Sequence, residues 1–174
     1  MVEHIAFGDT PVSRCSYYRR VCDLPAVIDP PHLGRITMTA SYVWGLMMPA
    51  HLGQAVLAHM RGVGAEIGPV MSHPRSLRWT FLVRPNLSDD VSLFAEMFRH
   101  NVSVVRDGGT IALPSPTDQR VEFRRWVEPP RCIFRPSGLV VVEPIRACAV
   151  FGAHRPVIRG QVRGWNADRD SRHG

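Results

Sequence analysis

Six side chains in the central part of the chain have the types that recognise a polyanion: His73, Arg75, Arg78, Arg124, Arg125 and Trp126. Guanidinium groups pair with phosphate oxygens in a two-point fork, and an indole offers a face on which a nucleic-acid base stacks. Arg78 and Arg84 alternate with Trp79 and Phe81 along a strand-like run, so the two sets point to opposite faces. Arg124 and Trp126 are two residues apart and share one face of a later run. The pattern predicts a basic and aromatic surface for single-stranded nucleic acid or a protein partner. The competing reading is a solvated sheet face whose tryptophan a helix covers.

Catalytic chemistry has fewer candidates. Metal-dependent nucleotidyl transfer needs carboxylates converging from strands, and no Asp-x-Asp phrase occurs within an apolar run. Asp89 and Asp90 are adjacent, about 100° apart on a helix, and with Ser88 they suit the capping of a helix start. Asp29, Asp107 and Asp118 sit at turn-like positions. Ser72-His73 lacks the Gly-x-Ser-x-Gly elbow of a hydrolase. Cys15, Cys22, Cys132 and Cys148 form no Cys-x-x-Cys, and with His32 and His73 they give no zinc-ligand spacing. The expectation is a non-enzymatic module with no metal and no cofactor.

The net charge of +6 is carried by Arg alone, 21 of them with no Lys, against 15 carboxylates. GC-rich codons favour Arg over Lys, so this bias records genome composition as well as any affinity for phosphate. Without a charged-then-apolar leader or an apolar run of about 20 residues, the reading is a cytoplasmic, reduced protein that does not enter a membrane.

The elements that must hold these side chains follow from patterning. A chain of 174 residues, 45% apolar, suits one domain. Ala26 to Asp29 and Arg35 to Thr39 read as a hairpin around Pro30-Pro31-His32-Leu33-Gly34. Tyr42 to Met48 is an apolar run broken by Pro49, and Leu52, Val56, Met60 and Val63 then follow helical spacing to Gly62 and Gly64. Leu77 to Val83 alternates as a strand with one face buried. Ser88 is placed to cap a second helix through Val91, Phe94, Ala95 and Phe98, with Asn101 as its stop. Val102 to Val105 and Thr110 to Leu113 read as a hairpin around Asp107-Gly108-Gly109, Val121 to Val127 as a strand, and the segment after Ser137 as a helix kinked at Pro144, with a strand over Val140 to Val142 as the alternative. The fold class is α+β, a mainly antiparallel sheet with about three helices on one face, in the order ββ(β)αββαββα. Residues 1–13 are expected to be a flexible N-terminus, 14–151 a single domain and 152–174 a flexible Arg-rich tail.

Several phrases resemble a known family: Gly68-Pro69-Val70, His73-Pro74-Arg75-Ser76, Arg78-Trp79-Thr80-Phe81-Leu82, Leu93-Phe94, Ile111-Ala112-Leu113-Pro114-Ser115-Pro116, Trp126, Pro129-Pro130 and Phe134-Arg135-Pro136-Ser137. They are similar to short uncharacterised proteins of GC-rich actinobacteria that carry the automatic label "DNA-directed RNA polymerase subunit beta". The similarity spans approximately residues 16–150. More faintly, the chain resembles the N-terminal domain of bifunctional primase/polymerases. These resemblances imply a link to transcription or replication, with a degenerate primase-like nucleotidyltransferase relative as the alternative to a binding module. They supply no active site, and 174 residues cannot form the large multidomain wall of a true polymerase beta subunit.

The tail carries five Arg against two Asp, half of the net charge, and little apolar periodicity. Deleting residues 155–174 is expected to leave the cooperative thermal transition of the core almost unchanged. A midpoint drop above about 8 °C, measured by calorimetry, would show that Val157, Ile158 or Trp165 docks on the core.

Overall fold

The computed structural model describes residues 7–117 and 123–152. Its first element is a helix that hydrophobic periodicity does not announce, α1 (Pro11–Arg20). The Thr10 hydroxyl accepts from the Ser13 amide while the Ser13 hydroxyl accepts from the Thr10 amide, closing two otherwise orphan donors. Pro11 stands in the first turn, where its missing N–H costs nothing. Phe7 packs edge-on against Tyr17 with ring centroids 5.0 Å apart, and Arg14 Nε donates to the Phe7 carbonyl at 2.8 Å. Ordered packing therefore begins ahead of residue 14, and the helices number four among the described residues, not three.

The remaining elements are β1 (Ala26–Ile28), β2 (Ile36–Thr39), β3 (Trp44–Pro49), α2 (Ala50–Gly62), β4 (Val70–His73), β5 (Arg78–Val83), α3 (Val91–Arg99), β6 (Ser103–Val105), β7 (Thr110–Leu113), β8 (Arg125–Glu128) and α4 (Gly138–Gly152). The class is α+β, and every pairing between these strands is antiparallel. Two sheets share them, one in the order β1-β2-β7 and one in the order β6-β3-β5-β4-β8. The β1–β2 hairpin forms as the sequence predicts, with Ile28 opposite Ile36 and a turn closed by Gly34 at φ 61°, a conformation that costs glycine no Cβ clash.

The expected hairpin around Asp107-Gly108-Gly109 does not form. β6 pairs with β3 and β7 pairs with β2, so the chain changes sheets at this corner. Gly108 donates to Ala40 O and Ala40 donates to Gly109 O, while Trp44 Nε1 donates to Asp107 Oδ1 at 3.1 Å. Backbone groups of the corner thus bond to the β2–β3 connection rather than to a neighbouring strand.

Sheet stacking also corrects the one-sided reading of β5. Trp79 meets α2, where a Cβ on Gly53 would lie 2.9 Å from the Trp79 Cβ. On the opposite face a Cβ on Gly45 would lie 2.9 Å from Ile111 Cδ1 of β7. Thr80 and Leu82 share that face by alternation and are fully buried beneath the second sheet. The helices accordingly do not all lie on one face: α2 and α4 cover one side of the five-stranded sheet, and α1 packs with the smaller sheet on the other.

Asp90 rather than Ser88 caps α3, accepting from the Ser92 amide at 2.8 Å and the Ser92 hydroxyl at 2.7 Å. Asp89 instead pairs with Arg106. Asn101 follows the helix at φ 57°, a left-handed stop. α4 forms after Ser137, whose hydroxyl accepts from the Leu139 amide at 3.3 Å, and it runs through Pro144. Arg146 holds α4 to α3 through Glu96 by two bonds of 2.8 Å.

Tyr18 joins three parts of this structure. Its hydroxyl accepts from Trp126 Nε1 at 2.7 Å and donates to Pro114 O at 2.8 Å, and the residue is fully buried. Tyr18→Phe leaves a half-buried indole N–H and a buried carbonyl without their partner, an expected loss of about 2 kcal/mol in urea unfolding. A loss below about 0.5 kcal/mol would show that other groups satisfy both.

Candidate functional site

The six residues singled out in the sequence do converge, because β8 pairs with β4 and β4 with β5. His73 stands opposite Arg78, Met71 opposite Trp126 and Ser72 opposite Arg125. Their side chains nevertheless divide into two groups. Arg78 donates to Met47 O at 2.9 Å, to Asn101 O at 2.8 Å and to Asn101 Oδ1 at 3.0 Å. Its guanidinium is a clamp between β3 and the α3–β6 connection. Trp126 is turned inward on Tyr18, the two rings edge to face with centroids 5.9 Å apart, so the indole face is used within the fold. His73 Nε2 bonds Thr80 Oγ1 at 2.9 Å.

Arg75, Arg124 and Arg125 make up the second group. Arg75 and Arg125 are exposed, and the Arg75 guanidinium lies 5.9 Å from the Phe123 ring centroid. Arg124 is half-buried and close enough to act on His73. Burial, then the positive charges of Arg124 and Arg78, push the His73 imidazole down to about 4 from its ordinary 6.5. His73 is neutral at physiological pH, a hydrogen-bonding residue within a positive field.

At the far end of β5 the structure assembles a second set that patterning does not reveal. Tyr42, Arg84, Pro85, Asn86, Ile133, Phe134 and Arg135 line a cleft of about 560 Å³, within the range of small-ligand sites. Three separate segments meet there: the residues preceding β3, those following β5, and the Pro-bounded loop before α4. Asn86 secures the loop by accepting from the Gly138 amide at 3.0 Å and bonding the Ser137 hydroxyl. Arg135 is nearly buried, donating to Cys22 O at 2.7 Å and pairing with Asp23 at 3.4 Å. Arg84 is exposed, and its guanidinium has no hydrogen-bond or ion-pair partner among the described residues. Tyr42 is 47% exposed. Burial and the Asp23 carboxylate raise the Tyr42 phenol, with Arg135 and Arg19 opposing.

The sequence holds a partial signal for this cleft. Arg84 reads as pointing away from the core, and Phe134-Arg135-Pro136-Ser137 stands out as a phrase. Their meeting with Tyr42 depends on a loop more than ninety residues downstream of Tyr42, which no local pattern encodes. Among the described residues no three His, Cys, Asp or Glu side chains gather in an arrangement that would hold a metal ion. No helix among them is long and apolar enough to cross a membrane. No protein-family model, curated protein or solved structure matches the chain.

His73 gives a pH test of this arrangement. Its folded pKa lies below its unfolded value, so the unfolded chain binds the extra proton, and stability declines as pH falls from about 6.5 toward about 4. The expected contribution is up to about 3 kcal/mol over that window. Urea midpoints measured across it should fall less steeply in His73→Gln than in the parent. Equal slopes would place the ring in water.

Proposed function

We propose that the chain is a non-enzymatic accessory module that binds single-stranded nucleic acid, with the Tyr42–Phe134 cleft as the place where a base is held. The observation that carries this reading is one guanidinium without a partner among the described residues, that of Arg84, lining the same cleft as an exposed tyrosine and a phenylalanine. Stacking on an aromatic face is tolerant of base identity, and each stacked base contributes about 1–3 kcal/mol. Arg84 supplies the charge for an adjacent phosphate, while the loop fastened by Asn86 and the nearly buried Arg135 keep the cleft formed without ligand. Preorganisation of this kind lowers the entropic cost of binding.

The surface of Arg75, Arg124 and Arg125 contributes in a different way. It lies toward the opposite end of β5, some 20 Å from Arg84 by strand rise, and adds to the positive field that draws a polyanion in. Arg78 and Trp126 are held by contacts within the fold and belong to the framework of this surface.

Fluorescence anisotropy with a labelled single-stranded oligonucleotide tests the reading. Arg84→Ala and Tyr42→Ala are each expected to weaken binding by about five- to tenfold. Arg84→Ala should also reduce the slope of log K against log salt by about 0.7. Both residues are exposed, so the thermal midpoint should hardly change. Absence of binding at low salt would overturn the proposal, and unchanged binding in both variants would remove the cleft from it.

A further inference from the structure

A second cleft, of about 640 Å³, lies between α1 and the outer edge of β1. Its character differs from that of the Tyr42 cleft, since among the described residues no aromatic ring lines it. Val12 and Val27 form apolar walls and are 71% and 51% exposed. Cys15 closes the floor with its thiol donating to Ala26 O at 3.4 Å. The charged groups lining it are Arg19 and Arg20, both exposed and without an ion-pair partner among the described residues. Among the described residues no carboxylate lines it.

The β1–β2 register adds a backbone donor. Asp29 donates to Arg35 O, so by antiparallel alternation Val27 exchanges bonds with Thr37, and the N–H and C=O of Ile28 turn to the open edge. The cleft thus presents two guanidiniums, the Ser16 hydroxyl and an edge amide beside aliphatic walls. A fully hydrated polyanion has no use for those walls, and a neutral hydrocarbon would leave the cations idle. We infer that this cleft is a binding site for a small amphiphilic anion, an alkyl chain capped by a carboxylate or phosphate. Two guanidiniums and an amide receive the head, and Val12 and Val27 flank the chain.

Calorimetric titration of the full chain tests this with four probes: octyl phosphate, octanoate, octanol and inorganic phosphate. The two amphiphilic anions should bind about tenfold or more tightly than octanol or inorganic phosphate. The Arg19→Ala/Arg20→Ala double variant should lose the preference for the anions over octanol, and Val27→Asp should weaken both anions. Tyr42→Ala should leave all four unchanged, which separates this cleft from the proposed nucleic-acid site. Because the substituted side chains are exposed, their thermal transitions should match that of the parent protein. Equal affinity for octanol and octyl phosphate, or octyl phosphate binding untouched by the double Arg variant, would overturn the inference. So would sedimentation with vesicles containing anionic lipid but no binding of the soluble probes, which would make the basic end of α1 a membrane-surface contact.

Discussion

The buried hydroxyl of Tyr18 is the constraint on which the arrangement depends. It accepts from an indole on β8 and donates to a carbonyl at the exit of β7, so one side chain of α1 ties both sheets to the first helix. Desolvation raises its phenol to about 12, which keeps the group neutral and able to donate over the whole physiological range. The aromatic contacts around it, with Phe7 and Tyr17 on one side and Trp126 on the other, bury polar and apolar surface together. That coupling settles the fate of Trp126. An indole whose N–H is used and whose face meets another ring inside the fold has a structural task before any other.

From this follows a division of labour among cations. Arg14, Arg78 and Arg135 each donate to backbone carbonyls, and in doing so they replace hydrogen bonds that short strands and irregular loops cannot supply. Such charge-assisted bonds are stronger than neutral ones, and they suit a structure whose strands are three to six residues long. Arg19, Arg20 and Arg84, by contrast, line clefts and form no ion pair among the described residues. The arginines of this chain therefore fall into two structural groups, a division that the net charge does not show.

Where patterning was strong the elements were legible. The β1–β2 hairpin, α2 with its Leu52, Val56 and Met60 spacing, and the return of the chain into α4 after Ser137 all read from local rules. α1 did not, because Pro11–Arg20 interleaves three Arg with its buried Cys15, Tyr17 and Tyr18 and has no continuous apolar stripe. Its start is marked by the Thr10–Ser13 capping box and by Pro11 in the first turn, a signal that lies in two or three residues and not in any apolar repeat. The Asp107-Gly108-Gly109 corner failed for a different reason. Two flanking strands and a glycine turn look the same whether they pair with each other or leave for separate sheets, and only the partners β3 and β2 decide.

The candidate site was legible to a smaller degree, and the reason is geometric. Alternation along a strand tells which side chains share a face, but not whether a second layer covers that face. Thr80 and Leu82 were buried by β7 from the neighbouring sheet, and Trp126 by α1, so the face carrying His73, Arg78 and Trp126 became an interior boundary with an Arg rim. Open aromatic surface moved instead to the strand ends, where Pro85, Pro130 and Pro136 bound irregular segments and leave Tyr42 and Ile133 exposed. Side chains from distant segments can gather at such ends for a physical cause. Loops there are free of the pairing demands of the ladder, and the sheet beneath them is rigid enough to fix an arginine and two rings from three distant segments in one cleft.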